Sequence, residues 1–129
     1  MGILEGKSPI CFIMTTDRER SKAFYIEKLG LKYLGEDQFA TSFDLNGVPL
    51  RLSDTGPFVP SPHTIMGWQV DDIDATVQQL SDKGVKFEIY EGFGQEPSGI
   101  WSDPSGRARI AWFLDPDGNN LSITQTAAY

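Results

Sequence analysis

The chain has 129 residues, of which 40% are hydrophobic, and it carries a formal net charge of -7 at pH 7. This length suits one domain with a real hydrophobic core, and the negative charge argues against a nucleic-acid partner, whose phosphates require a basic face. Cys11 is the single cysteine, which excludes an internal disulfide, and no apolar run approaches the length of a membrane span. We therefore expect a cytoplasmic protein with no membrane partner.

The first half of the chain has the pattern of a strand, a helix and three further strands. Pro9 to Thr15 is rich in strand-forming residues, and Asp17 is a good N-cap for a helix that ends at Gly30. Asn46-Gly47 predicts a tight hairpin between the last two strands. The three strands predicted after the helix are Leu31–Gly35, Phe39–Leu45 and Val48–Ser53.

Residues 55–63 contain three prolines and a glycine, which predicts a connector between two modules, 8–54 and 64–126, of a single domain. The second module begins with a predicted strand at 64–70 and a helix that is capped by Asp71 or Asp72 and ends at Gly84. The strands predicted after it are 85–90, 108–114 and 120–125, with a short extra strand at Ile100-Trp101. Between them, the glycine-containing loop 91–99 is expected to close over a pocket, to be disordered or to contact a partner copy.

The two halves repeat one unit. Asp17 and Gly30 recur as Asp71 and Gly84, 54 residues further along the chain. The turn at 43–47 is likewise echoed by the turn at 113–118, and a strand-like segment follows each turn. Such a repeat predicts two small sheets side by side with a cavity between them.

Several of these segments resemble the vicinal oxygen chelate superfamily. In the first half they are Thr16-Asp17, Ala23-Phe24-Tyr25 and Leu29-Gly30-Leu31; in the second half they are Val70-Asp71-Asp72-Ile73, Lys83-Gly84-Val85 and Phe113-Leu-Asp-Pro-Asp-Gly-Asn119. The superfamily includes glyoxalase I, extradiol dioxygenases, fosfomycin-resistance enzymes and bleomycin-binding proteins. The resemblance implies an α+β fold in which two βαβββ modules form curved mixed sheets around a shared cavity. It does not imply one activity, since this scaffold carries several chemistries.

The resemblance also implies where a metal would bind. In the metal-dependent members, His, Gln or Glu ligands lie on the first and last strands of each module, at positions that fall near Ile10, Arg51, Ile65 and Ser122. Isoleucine has no donor atom, arginine is cationic, and one serine is a poor ligand by itself. We therefore expect no metal and no other cofactor. His63 lies two residues before Ile65 and is either a displaced ligand or a connector histidine near the cavity mouth.

Strand alternation predicts which side chains face the cavity. The side chains on the opposite face of these strands are almost wholly apolar and suit the core; they include Ile13, Leu50, Leu52, Phe113 and Leu121. From the predicted cavity face, the loops and the connector we select a set of candidate ligand-binding residues: Phe12, Met14, Arg51, His63, Ile65, Gln69, Trp101, Trp112 and Ser122.

Arg51 and the two tryptophans of this set each have two interpretations. The Arg51 guanidinium either anchors a carboxylate, phosphate or polarised carbonyl of a ligand, or pairs with an acidic side chain such as Asp44 or Asp54. Trp101 and Trp112 either stack on a planar ligand or simply pack in the core or at an interface.

The leading hypothesis for function is a metal-independent protein, similar to the bleomycin-resistance proteins, that binds a small aromatic or acidic organic molecule in an apolar cavity. The resemblance implies a homodimer. The alternative is a divergent lyase, isomerase or dioxygenase, metal-dependent only if His63 and non-standard ligands form a site. A metal-independent enzyme would use Arg51 to stabilise an enolate-like charge, with Glu91, Glu96 or His63 as candidate bases. A third hypothesis is an accessory protein whose pocket serves a metabolite as regulator or chaperone.

Overall fold

The computed structural model describes residues 2–127, which divide into two compact units, one ending at Phe58 and the other beginning at Val59. In the first unit the sheet order is β1-β4-β3-β2, with β1 parallel to β4 and the other pairs antiparallel. Its elements are β1 (Cys11–Thr15), α1 (Arg18–Ala23) continuing as one π-helical turn (Phe24–Lys28), β2 (Lys32–Glu36), β3 (Ala40–Leu45) and β4 (Val48–Asp54).

Local sequence signals set the ends of these elements as predicted. The side chain of Asp17 accepts a hydrogen bond from the backbone N–H of Arg20 and so caps α1. Asn46 and Gly47 have φ angles of 54° and 97°, the left-handed values that a two-residue hairpin requires. The predicted hairpin between β3 and β4 is therefore confirmed.

The second unit repeats this topology with the order β5-β8-β7-β6. Its elements are β5 (Thr64–Gln69), α2 (Ile73–Asp82), β6 (Trp101–Ser102), β7 (Ala108–Leu114) and β8 (Asn120–Thr126). The side chain of Asp72, rather than that of Asp71, accepts from the N–H of Ala75 and caps α2. The predicted α+β class with two βαβββ modules is confirmed.

The predicted strand at 85–90 is wrong, because the fourth strand of this sheet is Trp101–Ser102. In 85–90 the ladder contacts are one bridge from Phe87 to Phe113 and one hydrogen bond from Glu88 N to Trp112 O (2.8 Å). Other backbone groups of the segment bond a side chain instead of a strand, because the Gln95 amide accepts from Tyr90 N and donates to Glu88 O. Val85–Tyr90 therefore lies beside β7 but does not pair with it as a regular strand.

Each unit has its own core, and the alternation predicted for the strands is observed. In the first unit Ile13, Leu50 and Leu52 are buried on one side of the sheet, whereas Phe12 and Met14 are exposed on the other. In the second unit the buried residues include Ile73, Val77, Phe113, Leu121 and Ile123. Within residues 2–127 no helix is long and apolar enough to cross a membrane.

Candidate functional site

The second unit contains an open pocket of about 240 Å³ next to the first residues of β5 and β8. Its walls combine aromatic rings with a few polar groups, which is the usual make-up of a small-molecule site. The lining residues are Pro62, His63, Thr64, Tyr90, Phe93, Trp112 and Asn120.

Three aromatic rings form one wall of this pocket. The centroid of Trp112 lies 5.7 Å from that of Tyr90 and 6.2 Å from that of Phe93, both edge to face. Behind it, Trp101 contacts Trp112 with a centroid distance of 6.3 Å. Because Phe113 points into the core, strand alternation places Trp112 on the other side of β7. The wall therefore rests on a paired strand and presents aromatic surface on which a planar molecule can pack.

A chain of hydrogen bonds runs along the polar side of the pocket. Thr64 and Asn120 are neighbours across the parallel β5–β8 pair, and Thr64 Oγ1 donates to Asn120 Oδ1 (3.0 Å). Asn120 Nδ2 in turn donates to the hydroxyl of Tyr90 (2.9 Å). Asn120 is buried, so the chain holds its amide in one orientation beside the pocket.

The loop that carries Tyr90 and Phe93 is fastened by the side chain of Gln95. Its Oε1 accepts from Tyr90 N (2.6 Å), and its Nε2 donates to Glu88 O (2.9 Å) and Gly99 O (2.7 Å). Gly99, at φ 99°, lies so close to Phe87 that an added Cβ would be 2.8 Å from Phe87 Cβ. Residues 91–99 therefore form an anchored loop that contributes Phe93 to the pocket, whereas closure over the pocket and contact with a partner copy stay predictions.

Of the predicted ligand-binding residues, His63 and Trp112 line the pocket, whereas Trp101 contacts Trp112 from outside the lining. Ile65 and Gln69 lie on β5 outside the lining, and Ser122 is buried beside Gly67. The sequence interpretation missed Thr64, Tyr90, Phe93 and Asn120 as binding residues. No local signal in the sequence brings Tyr90 to Asn120.

Phe12, Met14 and Arg51 belong to the first unit. Phe12 and Arg51 are direct neighbours across β1 and β4, and Phe12 is 65% exposed. Arg51 pairs with neither acid predicted for it: its Nη1 lies 3.0 Å from Asp37 Oδ2 and also donates to Ser42 Oγ (3.2 Å). That guanidinium, helped by the backbone N–H groups of Phe39 and Ala40, lowers the pKa of Asp37 from 3.8 to about 2.

A second charged cluster fixes the loop of the second unit to α2. Arg109 on β7 binds Asp74 through two hydrogen bonds (2.7 and 3.1 Å) and Glu96 through one (3.1 Å). The hydrogen bond from Arg109 lowers the pKa of Asp74, and the two carboxylates raise the pKa of Arg109. Glu96 is therefore engaged in an ion pair, which makes it a poor candidate for a general base.

The residues at the four positions implied for a metal do not fit one. Ile10 and Ile65 carry no donor atom, and Arg51 is a cation paired with Asp37. Ser122 Oγ lies over Gly67, where any added side-chain carbon would collide with it. Within residues 2–127 no group of three or more His, Cys, Asp or Glu side chains is placed to hold a metal ion. The expectation of metal independence stays a prediction.

Comparison with known proteins shows the family to which the chain belongs. The model of the Glyoxalase/Bleomycin resistance protein/Dioxygenase superfamily matches residues 8–123. The chain is 32% identical to the protein YaeR of Escherichia coli over 125 residues, covering 86% of this chain and 89% of YaeR. It is 29% identical to YwkD of Bacillus subtilis, again over 125 residues, covering 86% of this chain and 90% of YwkD. A glyoxalase family protein from Enterococcus faecalis has a similar structure (TM-score 0.72, 21% identity), with 93% of this chain and 98% of that chain covered.

Proposed function

The chain belongs to the Glyoxalase/Bleomycin resistance protein/Dioxygenase superfamily, and we propose that it binds a small, aromatic or acidic organic molecule without a metal. The proposed site is the pocket lined by Tyr90, Phe93 and Trp112 in the second unit. The protein sequesters its ligand there without altering it, as the drug-binding resistance proteins of the superfamily do.

The aromatic wall is the observation that carries this proposal. Three rings within 6.2 Å of one another border an open volume instead of filling a core. Phe93 is 52% exposed, so its ring has apolar surface that a ligand can cover. A planar ligand that packs against Trp112 and Phe93 removes this surface from water. His63 adds an imidazole edge suited to a carboxylate or carbonyl oxygen.

Titration of the protein with planar aromatic carboxylic acids and ketones, followed by tryptophan fluorescence, tests the proposal. Binding is expected for wild type and is expected to weaken at least about tenfold in Trp112→Ala, which removes the central ring of the wall. Trp68→Phe is the matched control, because Trp68 stacks on Phe113 and does not line the pocket. Equal binding by Trp112→Ala and wild type would place the ligand elsewhere.

Two further measurements separate ligand binding from catalysis and from metal dependence. Elemental analysis after incubation with Ni, Zn, Mn and Fe(II) is expected to give near-zero occupancy, because the four implied ligand positions supply no donor set. Ligand recovered after long incubation is expected to be unchanged by mass spectrometry. About one metal per chain would contradict metal independence, and a product that fails to form in His63→Ala would establish the enzymatic alternative.

We also infer that the protein is a homodimer. The support is an apolar patch on and next to β1, where Phe12 and Met14 of the strand are 65% and 47% exposed and the preceding Ile10 is 56% exposed. Apolar side chains that share one strand face form a patch rather than isolated exposures, and such patches mark contact surfaces. A second copy of the chain is the partner that the family resemblance implies.

A further inference from the structure

We propose that the aromatic pocket selects ligands bearing a hydrogen-bond acceptor, such as a ketone or carboxylate oxygen, and that Thr64 and Asn120 impose this choice through Tyr90. The inference rests on the proposed function, since it concerns the ligand of the same pocket. It goes further by assigning the direction of the hydrogen bond that the Tyr90 hydroxyl makes with the ligand.

The donor-to-acceptor direction of this hydrogen-bond chain is set at the β5–β8 pair. Thr64 and Asn120 face each other at the start of the two strands, where the ladder fixes their spacing. The Thr64 hydroxyl donates to Asn120 Oδ1 over 3.0 Å, so the oxygen end of the amide points towards β5. Because the amide is planar, its nitrogen end must point the other way, towards Tyr90.

The amide nitrogen determines what the Tyr90 hydroxyl can do. An amide N–H₂ group only donates, so in the 2.9 Å contact between Asn120 Nδ2 and Tyr90 Oη the phenol oxygen is the acceptor. The hydroxyl hydrogen of Tyr90 is thereby left to donate. Among residues 2–127 the structure gives no acceptor for it, although Tyr90 lines the pocket and is only half-buried.

A ligand that stacks on this wall therefore meets a hydroxyl with a hydrogen to donate. An acceptor oxygen on the ligand satisfies that hydrogen, whereas a hydrocarbon group of the same shape removes it from water without a partner. A hydrogen-bonding site of this kind discriminates more strongly than apolar surface does, because the mismatched ligand leaves a buried polar group unpaired.

Acetophenone and α-methylstyrene form a suitable probe pair, because they differ only in a carbonyl oxygen against a methylene group. Their affinities can be measured at pH 7 from the shift of the Trp112 indole N–H signal in ¹H–¹⁵N NMR spectra. Wild type is expected to bind acetophenone roughly 3- to 10-fold more tightly, the ratio that corresponds to one net hydrogen bond. Tyr90→Phe keeps the ring and is expected to bring the ratio close to one, whereas Tyr33→Phe in the first unit should leave it unchanged.

Asn120→Asp tests the role of the relay rather than that of Tyr90 alone. A carboxylate accepts at both oxygens, so the Tyr90 hydroxyl is expected to donate to the introduced carboxylate and to lose its donor role towards the ligand. The preference for acetophenone should then disappear although Tyr90 is still present. The pattern of indole shifts with α-methylstyrene reports whether the variant pocket is intact.

The outcomes separate this inference from the proposed function. If both probes bind wild type equally well, the pocket is a ligand site but the hydrogen-bond direction assigned here is wrong. If Asn120→Asp keeps the wild-type ratio, the relay does not set it. If neither the probes nor the aromatic acids move the Trp112 signal, the proposed function itself is contradicted, and this inference with it.

Discussion

Arg51 lies on the predicted cavity face, where the sequence allowed either a ligand anchor or a structural ion pair. Its guanidinium is held by Asp37 and Ser42 through one nitrogen, Nη1, and its side chain is 29% exposed. Asp37 also accepts from the N–H groups of Phe39 and Ala40 (2.8 and 3.0 Å), so the pair fixes the turn between β2 and β3. The geometry favours a structural role for Arg51, and charge stabilisation by this residue is not part of the proposed function.

The Asp37 carboxylate makes the stability of the protein depend on pH in acid. Its folded pKa, about 2, lies below the ordinary value of 3.8, so its contribution is present above pH 3.8 and is lost as pH falls from 3.8 towards 2. Asp37→Asn is therefore expected to have a lower urea midpoint than wild type at pH 7, with the gap closing near pH 2. Glu91→Gln, which removes a carboxylate without a recorded ion pair in residues 2–127, is the control and should show no such gap. A gap that is independent of pH would contradict the assignment.

At the scale of the element, segment 85–100 is the part of the fold that the sequence pattern predicts least well. The alternation of Val85, Phe87 and Ile89 is typical of a strand, and Val85 and Phe87 are indeed buried. The alternation gives no sign of the Gln95 side chain, which lies five residues after Tyr90 and accepts a hydrogen bond from the Tyr90 backbone N–H. Nothing local distinguishes this glutamine from an exposed loop residue, so neither the missing strand nor the place of Tyr90 followed from the sequence.

Gln95→Ala is expected to loosen the segment and to weaken binding at the pocket. The change leaves Tyr90 N, Glu88 O and Gly99 O without their partner and should lower the free energy of unfolding by about 1–3 kcal/mol. Amide hydrogen exchange at Tyr90 should rise, and affinity for the aromatic probes should fall. Gln78→Ala is the control, because the Gln78 side chain bonds Asp82 on an exposed face of α2 and not the loop. Slow exchange at Tyr90 in Gln95→Ala would show that other contacts hold the loop.

Substitutions at two glycines of the same loop distinguish the cost of backbone strain from the cost of a steric collision. Gly94 and Gly99 both have positive φ, 70° and 99°, but only at Gly99 does an added Cβ meet an atom within 4 Å, Phe87 Cβ at 2.8 Å. Gly99→Ala is expected to reduce the free energy of unfolding by about 1–3 kcal/mol more than Gly94→Ala, because overpacking adds to the shared φ cost. Denaturant unfolding of both variants measures the difference, and equal losses would mean that the contact with Phe87 relaxes freely.

For the whole molecule, the fold followed from the sequence but the site did not. Asp17, Asn46-Gly47 and Gly84 lie at element ends that local chemistry determines, and their repetition in each half indicated two equivalent modules. The aromatic pocket depends instead on Tyr90, Phe93 and Asn120, which meet only after the second unit has folded. The sequence therefore identified Trp112 and His63, which the strand pattern and the connector place, but it gave no sign of Tyr90 and Phe93, whose loop the Gln95 side chain holds in place.

The open face of β1 leads to a prediction for the assembly. A double substitution of Phe12 and Met14 by Ser is expected to convert the proposed homodimer to a monomer, because it removes two of the apolar side chains that form the patch. Within one chain these side chains are largely exposed, so secondary structure should be kept and the intrinsic loss of stability should be small. Light scattering coupled to size-exclusion chromatography over a range of concentrations gives the mass.

Val59→Ser is the matched control for this experiment. Val59 is 92% exposed but lies outside β1, so the variant should remain dimeric at the concentrations where the double variant is monomeric. A monomeric wild type would overturn the proposed homodimer, and a dimeric double variant would move the interface to another surface. If dimerisation and probe binding are lost together, the second copy completes the binding site. If the monomer binds acetophenone with unchanged affinity, the pocket around Trp112 works within a single chain.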